Sequence, residues 1–120
     1  MTRILTVDDS AAMRQMVEVT LTSAGYAVEK ASDGREALAL AQAQSFDLVI
    51  THVNMPNMDG ISFVRGLREL PAYRFTPVLV LTTERSDELK NEGRQAGATG
   101  WIMKPFNPER LIATVAKVLK

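Results

Sequence analysis

Cysteine is absent from the 120 residues, which removes both a disulfide framework and any thiolate metal site. Neither charge is in excess. Fourteen basic side chains balance 14 acidic ones, so there is no bulk electrostatic case for nucleic acid or an anionic membrane. No apolar run approaches the roughly 20 residues of a membrane-spanning helix. The N-terminal Ile4-Leu5-Thr6-Val7 meets two aspartates at once, too early for a signal peptide. Internal repeats, low-complexity tracts and linkers are also lacking. The composition therefore predicts one cytoplasmic domain over residues 1–120, long enough to bury a core.

What the chain has is alternation. Residues 4–7 form a short apolar run that stops at Asp8-Asp9, as a strand delivering two carboxylates to its end would. Ser10 suits a helix N-cap, and Met13, Met16, Val17, Thr20, Leu21 and Ala24 recur at helical spacing until Gly25. Residues 26–31 alternate and carry Glu29 and Lys30, as an edge strand does. Asp33-Gly34 opens a second helix with Ala37, Leu38 and Ala41 on its buried side.

Residues 47–51 are too short and too apolar for a surface helix but fit a strand covered on both faces. The next residues, His52 to Gly60, are dense in turn formers. A third helix over about 61–70 presents Phe63, Val64 and Leu67, and residues 77–83 make the most strand-like run. A polar helix over 86–95 has Leu89 and Ala96 as its anchors and Gly97 as its cap. A fifth strand over 99–103, a Lys104-Pro105-Phe106 turn and a last helix follow. Asn107 caps that helix, Pro108 opens it, and Leu111, Ile112, Val115, Val118 and Leu119 give it an apolar face.

Strict βα alternation predicts an α/β fold, a parallel sheet with right-handed crossovers and helices on both faces. Strands one, three and four read as buried, two and five as peripheral. Ligands bind such sheets at the carboxyl ends of the strands, which here gather Asp8, Asp9, His52, Thr82, Thr83 and Lys104. Paired carboxylates suit Mg²⁺, a hard cation that takes oxygen ligands. They equally suit capping of the first helix. A strand-end lysine opposite them can hold a phosphoryl oxygen as a point charge, or can be a solvated turn residue.

Four segments together resemble the CheY-type response regulator receiver domain along the whole chain. They are Val7-Asp8-Asp9-Ser10, Asn54-Met55-Pro56-Asn57-Met58-Asp59-Gly60, Thr82 and Lys104-Pro105-Phe106. The resemblance implies a flavodoxin-like (βα)5 sheet in the order 2-1-3-4-5, an order for which CheY is itself the standard example. It implies Mg²⁺ bound by Asp8, Asp9 and the backbone carbonyl of Asn54. It also implies phosphoryl contacts from Thr82 and Lys104, and a switch made of Thr82 and the aromatic Trp101. On composition alone, Trp101 could equally be a large side chain covering the sheet edge. Implied partners are a histidine kinase or phosphotransfer protein, and an effector protein on the face of the fourth helix, fifth strand and fifth helix, about residues 86–120.

The departure from the family pattern is His52, which falls at the phospho-acceptor aspartate. Imidazole cannot form an acyl phosphate, and it replaces one of three acidic oxygen ligands, which weakens Mg²⁺ binding. Three readings follow: a phosphorylation-incompetent receiver, a histidine phosphorylated as a phosphoramidate, or a transition-metal site of Asp8, Asp9 and His52. Beside two carboxylates, His52 is also expected to stand in part for the missing cation. The leading expectation is a stand-alone, chemotaxis-type receiver that works by binding and not as an enzyme, with no output domain for DNA. The alternative is a flavodoxin-like small-molecule or metal-binding module. Against it, the first loop is Asp-Asp-Ser with no glycine-rich phosphate cradle, and no serine or cysteine nucleophile motif is present.

Overall fold

A computed structural model describes residues 1–83, 86–104 and 106–119. Pro105 of the expected turn and Lys120 at the end of the expected effector face lie outside them. Five strands alternate with five helices: β1 (Arg3–Val7), α1 (Ala11–Ser23), β2 (Ala27–Ala31), α2 (Gly34–Ala43), β3 (Leu48–Thr51), α3 (Gly60–Glu69), β4 (Val78–Thr82), α4 (Asp87–Ala96), β5 (Gly100–Met103) and α5 (Pro108–Val118). The sheet is wholly parallel, in the order β2-β1-β3-β4-β5. Fold class and strand order are those expected.

Period-two geometry explains why the strands read as continuous apolar runs. Leu5, Val7, Val49, Val78 and Val80 face one side, where they pack with Ala37, Ala41, Phe63, Val64, Leu67 and Ala96 from α2, α3 and α4. Ile4, Leu48, Ile50, Leu79 and Leu81 face the other, against Val17 and Leu21 of α1 and Leu111 and Val115 of α5. Both faces are covered, so β3 and β4 are buried throughout.

Local chemistry sets the helix ends. Ser10, Asp33, Asp59, Ser86 and Asn107 each accept an amide of the following turn. The amide of Glu36, then that of Asn57, holds the Asp33 carboxyl below its usual value. Gly97 ends α4 in the left-handed region, φ 114°.

Three details differ from the sequence reading. Met16 of α1 is 51% exposed, because only Val17 and Leu21 are buried along that helix. The β3 strand starts at Leu48, since the Asp47 carboxylate turns back to accept the Arg3 amide at 2.8 Å. A 3-10 turn, Pro71–Tyr73, follows α3. It buries Tyr73, whose hydroxyl shares its proton between the carbonyls of Ala41 (2.8 Å) and Gln44 (2.6 Å). The phenol thereby closes the orphan end of α2.

Two stability outcomes follow. A methyl on Gly60 would lie 1.9 Å from the His52 carbonyl oxygen and 3.1 Å from Val53 Cα. Those are backbone atoms that cannot rotate away, so Gly60→Ala should cost about 2–3 kcal/mol, read as a lower urea midpoint at unchanged slope. Tyr73→Phe should cost about 1–2 kcal/mol by leaving two carbonyls short of a donor. Burial pushes the Tyr73 phenol above its ordinary 10.0. The stabilisation it gives is complete below about pH 10 and fades as pH rises through the higher folded value. Tyr73→Phe should lack that alkaline decline.

Candidate functional site

The parallel register brings the strand ends level. Val7 lies beside Thr51, Thr51 beside Val80, and Thr82 beside Met103. Backbone bonds extend the alignment one residue further: Asp8 N–H donates to Ala31 O, His52 N–H to Val7 O, and Lys104 N–H to Thr82 O. Each residue just past a strand is thus fixed before its side chain makes any contact.

Asp8 is almost completely buried, at 3% exposure. One carboxylate oxygen accepts the Ser10 amide at 2.9 Å. The other accepts the Lys104 ammonium at 2.8 Å. Arg14 reaches over from α1 to bond the Asp8 backbone carbonyl at 2.6 Å. Asp9, one residue on, is exposed.

His52 lies between these groups and β4. Its Nδ1 is 3.0 Å from the Leu81 carbonyl oxygen and 3.2 Å from Lys104 Nζ. One nitrogen cannot donate and accept at once. Leu81 O can only accept, so a bond to it needs the proton on Nδ1. The pairing that satisfies both places the proton on Nδ1, donated to Leu81 O, with Lys104 committed to Asp8. The cation paired with the Asp8 carboxylate is Lys104.

The remaining candidates are distributed as follows. Thr82 is fully buried at the end of β4. By strand alternation it shares the face of Val78 and Val80, the side on which Trp101 packs. Thr83 is exposed. Asn54 is exposed in the β3–α3 loop. That loop is held by Gly60 N–H to Val53 O, Met58 N–H to Pro56 O, and the Asn57 side-chain amide to Asp33 at 2.8 Å. Asn57 itself takes φ 67°, a conformation asparagine tolerates.

Asp8 and Asp9 keep the acidic oxygens that Mg²⁺ takes, but the donor set is short of an ideal fit. Each Asp8 oxygen accepts one hydrogen bond and keeps a further lone pair, while position 52 offers nitrogen where the ion prefers oxygen. Among the described residues no group of three His, Cys, Asp or Glu side chains is disposed to hold a metal. The Asp8, Asp9 and His52 transition-metal grouping is accordingly not assembled.

Sequence reasoning passed over Arg14, the Leu81 carbonyl and Gly93. The first two left no readable signal, because a backbone acceptor looks the same whatever the residue. Gly93 left one: a glycine in mid-helix is unfavourable unless something needs the space.

Comparison with known proteins agrees with this geometry. Residues 4–116 match the response regulator receiver domain family. The chain is 41% identical over 118 residues to response regulator MprA of Mycolicibacterium vanbaalenii, covering 98% of this chain and 50% of that protein. It is 34% identical over 119 residues to the transcriptional regulatory protein ResD of Bacillus subtilis, covering 99% and 48%. The chain thus spans about half the length of these curated relatives. The solved structure of chemotaxis protein CheY4 of Vibrio cholerae superposes with a TM-score of 0.95 at 57% identity, covering 98% of both chains. No described helix is long and apolar enough to cross a membrane. With the doubly wound sheet and the Asp8–Lys104 pair at its carboxyl edge, these likenesses place the chain in the response regulator receiver domain family of two-component signalling, CheY type.

Proposed function

We propose that this receiver signals by binding other proteins and forms no aspartyl phosphate of its own. Receiver domains interact with histidine kinases or phosphotransfer proteins and with effectors, and they typically bind Mg²⁺ at the acceptor site. The observation that carries the proposal is the placement of His52 directly after β3. Its imidazole touches Lys104, which is paired with Asp8, where the family pattern calls for a carboxylate nucleophile. A side chain there with no carboxylate oxygen has no atom to form the acyl phosphate. It also removes an acidic ligand, which weakens Mg²⁺ binding.

Thr82 and Lys104 retain the types that would contact a phosphoryl group, and Trp101 occupies the switch aromatic's place. Without the phosphoryl signal the face of α4, β5 and α5 rests in one arrangement. A domain of this kind serves as a constitutive effector partner or as a competitor for kinase docking. It works in the cytoplasm by association and catalyses no reaction on a separate substrate. The likeness to CheY4 favours chemotaxis as the setting. No observation favours a flavodoxin-like cofactor or metal carrier.

The test pairs this chain with His52→Asp, each treated with acetyl phosphate and Mg²⁺ and followed by the fluorescence of the single tryptophan, Trp101. His52→Asp should respond only when Mg²⁺ is present, and the parent chain should not respond. A Mg²⁺-dependent response of the parent would overturn the proposal. In a separate titration without donor, His52→Asp should bind Mg²⁺ at least about tenfold more tightly, reflecting the regained acidic ligand. Isothermal calorimetry would read that ratio.

A further inference from the structure

Trp101 is seated in a way that none of the site residues explains. Its ring packs against the core side built by α3 and α4. Its Nε1 is the one buried side-chain nitrogen or oxygen without a hydrogen-bond partner among the described residues. An unpaired indole N–H in the interior is unfavourable, so polar contact does not hold the ring inward.

Space does. A methyl on Gly93 would lie 2.8 Å from Trp101 Cζ3, 3.6 Å from Cε3 and 3.4 Å from Ile61 Cδ1. The ring edge therefore occupies the volume that any other residue at 93 would fill. Gly93 is buried near the middle of α4, where alanine would stabilise the helix if nothing opposed it. The helix forgoes that gain at a position that faces the indole.

We infer that Gly93 is the positioning residue of Trp101: the missing Cβ forms the seat that keeps the indole inward and so sets the resting state of the α4–β5 face. The inference rests on the reading of Trp101 as the switch aromatic for its link to partner binding, but its geometry is independent of that reading. In a receiver with no acyl phosphate to draw the ring inward, shape at position 93 does so instead.

The experiment uses the full chain with neither phosphoryl donor nor metal, so its outcome is separable from that of the acetyl phosphate assay. Gly93→Ala should red-shift Trp101 emission and increase acrylamide quenching while far-UV circular dichroism stays unchanged. In a Trp101→Ala background, where fluorescence is silent, Gly93→Ala should raise the thermal midpoint; beside an intact Trp101 it should not. Should Gly93→Ala alone fail to fold, recovery of folding in the double variant shows that the indole was the obstacle. Unchanged emission and quenching, an equal rise of the midpoint in both backgrounds, or a double variant that also fails to fold would each overturn the inference.

Discussion

The ion pair between Asp8 and Lys104 governs the carboxyl edge of this sheet. Its partners come from β1, near the centre, and from the end of β5 at the margin, and the two side chains are only 4% and 9% exposed. Taking two charges out of water is costly, and the attraction offsets that cost only when the remaining valences are filled. Here the second Asp8 oxygen has the Ser10 amide. Removing one partner of such a pair commonly costs about 3–5 kcal/mol, because the other is left charged and alone. The contact therefore fixes how far the β5 end can stray from β1. The imidazole at position 52 lies beside this pair, within bonding distance of the Leu81 carbonyl.

That contact has a structural effect. The His52–Leu81 bond ties the end of β3 to β4 one residue before the buried Thr82. The imidazole thus serves as an internal cross-tie at the carboxyl edge.

Much of this was legible in the sequence because it depends on periodicity and on residues that act locally. The apolar runs of β1, β3 and β4 and the caps Ser10, Asp33 and Asn107 announce themselves by spacing. So did the gathering of Asp8, His52 and Lys104, since parallel alternation forces their strand ends together. What was hidden depends on tertiary detail. Met16 fits a helical stripe, yet α1 buries a narrower one. Tyr73 caps α2 from 29 residues beyond Gln44, and no local pattern reveals such a partner. Histidine 52 could be placed from the chain alone, but the group it would bond could not, because that group is a carbonyl.

The two ends of the sheet are held by different kinds of contact. At the amino edge, Arg3 binds the Asp47 carboxylate through its amide and the Gln44 side chain and Ser45 carbonyl through its guanidinium. Tyr73 joins α2 to the turn after α3, and Arg68 bonds Tyr73 O and Gly97 O, linking α3 to the start of the β5 connection. At the carboxyl edge the ties among the described residues include Asp8–Lys104 and His52–Leu81. Because Arg68 grips the carbonyl of Gly97, the C-terminal end of α4 is anchored to α3 through a main-chain atom that is present whatever side chain stands at position 97.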